Sequence, residues 1–244
     1  MLSLLPLAAL GFLLGMRHAT DPDHVVAVAT IVSRERTIGN AALIGVLWGL
    51  GHTFTILLAG GVIAFFGLVV PAQVGLTMEL SVALMLIVLG ALGVAGVRRR
   101  QSGPHAHGDS VQVQPGGHDA GHHGHGVHET PLGRLDRRFG GLGFYQAARP
   151  FVVGVVHGLA GSAAVALLVV ATIHDPLLYL AYLFVFGLGT IAGMMLITLA
   201  IALPFVYSAR RLLGVNRVLT LAAGLLSVGF GLFLIYEIGF ARLT

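Results

Sequence analysis

The sequence predicts an all-α membrane protein: six transmembrane helices in a 3+3 inverted repeat, the first helix broken at a cluster of histidines and aspartates. Three observations lead there. Of the 244 residues, 56% are hydrophobic and only 10% are charged, and the mean hydropathy is +0.91, which excludes a soluble domain. Apolar stretches long enough to cross a hydrocarbon core of about 30 Å recur along the chain. Inside the first of them stands Arg17-His18-Ala19-Thr20-Asp21-Pro22-Asp23-His24. Ionisable side chains at bilayer depth are costly, so they mark a functional site facing the protein interior or a water-filled path.

The spans are read as 2–33, 38–67, 77–97, 150–173, 177–206 and 217–240. Inside lipid every backbone polar group needs an internal partner, so such segments form helices. The 35 glycines suit a bundle, because small residues let membrane helices approach closely. The first stretch lacks a basic flank and a small-residue cleavage site, so it reads as a retained span rather than a signal peptide. At about 1.5 Å per residue it is too long for one straight crossing. Pro22 supplies the interruption: it has no N–H for the carbonyl of His18 and turns Asp21 away from the α region. The organisation is therefore a first transmembrane half over 1–97, a cytoplasmic His-rich disordered loop over 98–149 and a second half over 150–244.

The net charge of +4 rests on 14 basic residues, all of them arginine. Apart from Arg17 in the motif and Arg242 in the tail, they fall between spans: Arg34 and Arg36 after the first, Arg98 to Arg100 after the third, Arg134, Arg137, Arg138 and Arg149 before the fourth, and Arg210, Arg211 and Arg217 between the last two. That pattern is topological and implies no nucleic-acid partner. By the positive-inside rule the loop is cytoplasmic and both termini lie outside an inner (cell) membrane. Glu79, Asp175 and Glu237 fall near span ends, at the interface. With no cysteine, disulfides and thiolate metal sites are excluded.

The halves resemble one another. Phe12-Leu-Leu-Gly15-Met-Arg-His18 aligns with Phe151-Val-Val-Gly154-Val-Val-His157, and Trp48-Gly49-Leu50-Gly51-His52 aligns with Phe186-Gly187-Leu188-Gly189-Thr190. Three spans per half force the second copy to run inverted, the plan of many secondary transporters with sites at broken midplane helices.

The chemistry follows from the ligands. Imidazole with carboxylate suits borderline divalent metals, nickel and cobalt among them, whereas magnesium and calcium favour an all-oxygen shell. If helical character survives the break, His18, Asp21 and His24 fall within about 120° of one face, and Asp23 points elsewhere, toward Arg17. If the segment unwinds, Asp23 replaces Asp21. His52 is the next ligand, with Thr53 or Thr55 holding its ring. His157 is the repeat partner of His18, near Ser162, and Thr190 is the repeat partner of His52. Trp48 reads as packing.

Arg17-His18-Ala19-x-Asp21-x-Asp23-His24 closely resembles the signature of the nickel/cobalt transporter family, and Gly51-His52-Thr53 looks like its second motif. The segment His157-Gly-Leu-Ala-Gly-Ser-Ala163 is similar to a shorter branch associated with urease accessory genes. The resemblance covers the six spans. It implies a permease for Ni2+ or Co2+ as substrate, without a prosthetic group, in which His18, Asp23, His24 and His52 match the positions tied to metal selection. Pro22 replaces the family's usual alanine, and Ala160 stands where longer members carry an acidic motif.

Residues 101–133 are rich in glycine, proline and histidine, with His105, His107, His118, His122, His123, His125 and His128. Such a tract buries no core and binds borderline metals loosely, as a metal collector. It could receive imported ions and buffer them, feed an exporter, or hand nickel to cytoplasmic enzyme-maturation proteins as a membrane metallochaperone would; uptake is what the family resemblance alone implies. No nucleotide-binding loop of the Gly-x-x-x-x-Gly-Lys-Ser/Thr type and no His-Glu-x-x-His is present, so neither self-powered pumping nor zincin proteolysis is expected.

Overall fold

The computed structural model describes residues 4–66, 71–99, 144–159 and 175–240. Among them the chain forms seven helices: α1 (Leu4–His18), α2 (Pro22–Val32), α3 (Ile38–Phe66), α4 (Ala72–Arg99), α5 (Phe144–Gly158), α6 (Pro176–Arg211) and α7 (Leu213–Phe240). The seven loop histidines and Ser162 lie outside the described residues.

The expected interruption of the first span is a complete break. Asp21 is extended, with φ −59° and ψ 142°, and Pro22 takes the first turn of α2. A residue before proline disfavours the α region, while proline at a helix start gives up only an N–H that had no intrahelical partner. Between the helices the amides of Thr20 and Asp21 donate to the carbonyls of Arg17 and His18 at 2.8 and 3.1 Å. At 1.5 Å per residue α1 and α2 reach about 22 and 16 Å, so neither crosses a bilayer alone.

Four helices are long and apolar enough to cross a membrane: Ile38–Ile63, Gln73–Arg98, Pro176–Ala209 and Leu213–Phe240. Beside them stand α1 and α2 as shorter apolar pieces. Of the six spans expected from sequence, the described residues show four as long helices and the first as the split pair α1–α2. Residues 160–174 of the expected fourth span are not described, and α5 starts at Phe144, ahead of the expected 150.

The long α3 packs against α6 and also against α5, α1 packs on α6, α4 pairs with α7, and α2 runs from α6 to α7. Glycines set the closest of these contacts. A Cβ on Gly15 of α1 would collide with the Phe186 carbonyl of α6, and one on Gly189 of α6 would collide with the Phe12 carbonyl of α1. The same reciprocal pair recurs between α3 and α5: Gly51 against the Phe151 carbonyl, Gly154 against the Trp48 carbonyl. Aligned positions of the two chain segments therefore make the same contacts. Outward, large apolar residues such as Leu84, Val88 and Leu92 on α4 and Leu225, Leu232 and Phe233 on α7 are exposed. Such surfaces suit lipid, not water.

Candidate metal centre

The helix break brings four imidazoles together. His18 closes α1, His24 lies in the first turn of α2, His52 is midway along α3, and His157 is one residue from the end of α5. Their residual exposures are 6%, 1%, 0% and 0%. The His24 ring centroid lies 4.8 Å from that of His18, 5.1 Å from His52 and 4.3 Å from His157.

Hydrogen bonds orient these rings. His18 Nδ1 donates to Asp21 Oδ2 at 2.8 Å, which leaves Nε2 facing His52 Nε2 at 3.0 Å. Two imidazole nitrogens this close need one N–H between them, because two bare lone pairs repel, and a neutral ring in the matching tautomer supplies it. Asp23 accepts twice: Oδ1 from His24 Nδ1 and Oδ2 from His157 Nε2, each at 3.0 Å.

His24 Nε2, His52 Nδ1 and His157 Nδ1 are buried and have no hydrogen-bond partner among the described residues. An unsatisfied buried polar atom costs about 1–3 kcal/mol, so three in one cluster mark a place built for something other than packing. The donor set is the one that borderline divalent ions take. Two ligand groups have their donor atoms within 4.8 Å of one another: His18 with His24 and His52, and Asp23 with His24 and His157.

The two aspartates occupy different places. Asp23 joins a ligand group and contacts His157, away from Arg17, which is exposed. Asp21, 42% exposed at its side chain, touches the cluster only through His18. The expectation that Thr53 or Thr55 holds the His52 ring is corrected. Thr53 donates to the Gly187 carbonyl at 3.2 Å, and the Thr55 hydroxyl lies 3.1 Å from the carbonyls of Gly51 and Val155. Both pin α3 to its neighbours instead. Thr190 donates to the carbonyl of Phe186 within α6.

Two aromatic side chains wall the site. Trp48, read from sequence as packing, is fully buried; it stacks on His24 at 5.9 Å and 13° and meets His157 edge-on at 5.5 Å. Phe186, its aligned counterpart in α6, lies 5.7 Å from His18. The clue was present: Trp48 precedes His52 by one helical turn and so shares its face.

Beyond the first turns, a cavity of about 470 Å³ opens among α2, α3, α4 and α5, lined by Thr30, Arg34, Glu35, Arg36, Asn40 and Arg149 with apolar neighbours. Val153 of its wall lies one helical turn from His157.

Comparison with known proteins adds the following. A family model described as "NicO: High-affinity nickel-transport protein" matches residues 4–238. The urease accessory protein UreH of Bacillus sp. (strain TB-90) is 30% identical over 240 residues, covering 97% of this chain and 93% of that protein. The hydrogenase nickel incorporation protein HupN of Bradyrhizobium diazoefficiens is 36% identical over 95 residues, 36% of this chain and 25% of that protein. The chloroplast protein FOR GROWTH AND FERTILITY 2 of Arabidopsis thaliana is 26% identical over 227 residues, 92% of this chain and 55% of that protein. No solved structure matches.

Proposed function

The chain belongs to the NicO family of high-affinity nickel-transport proteins, and from that premise we propose a membrane permease that carries Ni2+, and Co2+ with it, into the cytoplasm. The single observation behind this reading is the buried cluster of His18, Asp23, His24, His52 and His157 at the break between α1 and α2.

A broken helix supplies ligands where a continuous one cannot, because the turn at 19–21 frees side chains at bilayer depth to converge. The ligands come from α1, α2, α3 and α5, elements of both aligned segments. The reciprocal α1–α6 contacts at Gly15 and Gly189 and α3–α5 contacts at Gly51 and Gly154 support a 3+3 inverted repeat about this site. Rocking one repeat against the other would then expose the ion to alternate sides. Neutral imidazole is the form that binds metal, so ion entry would release a proton from any ring of the cluster that had been protonated, a route to proton coupling.

The arginines near 34–36 and 149 favour a cytoplasmic placement of that end by the positive-inside rule. The cavity beside Arg34 and Arg149 is then a vestibule on the cytoplasmic side. Histidines 105–128 would collect or buffer released ions there. UreH is named as a urease accessory protein and HupN as a hydrogenase nickel incorporation protein, which favours delivery toward the maturation of a nickel enzyme.

Reconstituted vesicles test this reading. Radioactive Ni2+ accumulates in the wild type, competed by Co2+ ahead of Zn2+ and Mn2+, and His18→Ala or His24→Ala abolishes it in inserted protein. Wild-type accumulation in both variants would remove the site. Cells that lose nickel on expression would make the protein an exporter.

A further inference from the structure

The imidazole and carboxylate ligands do not form one cage. His18, His24 and His52 make one group and Asp23, His24 and His157 the other, each with donor atoms within 4.8 Å. The His52 and His157 rings, which belong to different groups, stand 6.2 Å apart between centroids. Only His24 belongs to both groups.

Its two nitrogens are used differently. Nδ1 hydrogen-bonds to Asp23, which in turn holds His157. Nε2 has no partner, and it is the nitrogen left for the group in which His18 and His52 already face each other at 3.0 Å. The ring is thus presented by one edge to each group, and its single N–H proton changes from Nδ1 to Nε2 as an ion leaves Nε2 for the second group.

The groups also differ in charge and in origin. One is all imidazole and draws on α1, α2 and α3. The other contains a carboxylate and draws on α2 and α5. A conducting pathway needs sites strong enough to admit an ion and weak or numerous enough to release it. One sphere of five ligands would hold a transition metal tightly. Two three-ligand sites with a common member let an ion exchange partners stepwise.

We propose that the chain carries two overlapping stations for a divalent transition-metal ion, His18–His24–His52 and Asp23–His24–His157, between which the ion passes by pivoting on His24. This rests on the permease reading and adds to it the number of stopping places and the order of ligand exchange.

The test is equilibrium binding of Ni2+ to the purified full chain, with the seven loop histidines changed to alanine so that only the buried groups report. X-ray absorption counts the imidazole ligands. His52→Ala removes a ligand of the first station and His157→Ala of the second, so each variant retains a Ni2+ site within about tenfold of the wild-type Kd, while His24→Ala weakens binding more than about 100-fold. The retained ion has an all-imidazole protein shell in His157→Ala and a carboxylate in His52→Ala, and vesicle uptake fails in both. Asparagine versions of each variant accompany the alanine forms, so that a folding failure of one leaves the other to read. Equal loss of binding in all three variants means a single cage and overturns the proposal. Wild-type protein that binds no Ni2+ refutes the permease reading itself.

Discussion

Asp23 and His157, 134 residues apart in the chain, meet at 3.0 Å through Oδ2 and Nε2. The contact joins the start of α2 to the end of α5, and Asp23 is at the same time the acceptor for His24. Asp21, two residues earlier, instead orients His18 from the edge of the cluster. Removing charge at the two positions should therefore have unequal effects. Asp23→Asn should weaken Ni2+ binding by about 10–100-fold, and Asp21→Asn by less than about tenfold, since it loses only a hydrogen bond to a ligand. Isothermal titration of the two variants compares them. Equal losses would put both carboxylates in the ligand shell.

How much of this was readable beforehand depends on the range of the interaction concerned. Ionisable residues in an apolar stretch, and a proline among them, point to the site and to the break, because both effects are local. The match of Gly15 and Gly154 likewise marks the close contacts with α6 and α3. Which aspartate turns inward was not readable, since it depends on how far the chain unwinds at residues 19–21. The roles of Thr53 and Thr55 were misread for a related reason. Their acceptors are carbonyls of Gly187 and Val155 on other helices, and nothing near them in sequence announces such a partner. Trp48 looked like packing because an isolated tryptophan in an apolar helix usually is.

That tryptophan offers a spectroscopic handle. Trp48 is the single tryptophan in the chain and stacks on His24. Titration with Ni2+ should quench its emission saturably, with reversal by a chelator. In His24→Ala the saturable phase should vanish. Unchanged emission in wild-type protein shown to bind Ni2+ would mean that the ion sits away from α2.

The glycine contacts are open to mutation. Gly154→Ala would set a methyl against the Trp48 carbonyl and side chain, and Gly15→Ala one against Phe186. Overpacking of this kind costs about 1–3 kcal/mol. Gly39→Ala, at a position with open space around it, should instead be neutral or stabilising by up to about 1 kcal/mol, since alanine favours helix more than glycine does. Thermal unfolding in detergent ranks the three. Equal behaviour of Gly154→Ala and Gly39→Ala would mean that α3 and α5 are farther apart than described.

Arg34 ties the end of the broken span to α4, donating through a guanidinium nitrogen to the carbonyls of Leu92 and Gly93. Hydrogen bonds from a charged donor contribute about 1.5–3 kcal/mol, so Arg34→Ala should lower the unfolding midpoint. Lysine offers a point charge in place of the planar fork and should recover only part of the loss. Arg34 also lines the cavity beside α5 and follows the end of α2 opposite to the one that holds His24. Ni2+ affinity of the solubilised protein should accordingly stay within about threefold of wild type in Arg34→Lys, where the charge is kept. A drop in affinity as large as that of His24→Ala would instead show that the α2–α4 contact sets the position of His24, and that the ion site and the arginine-lined cavity act as one unit.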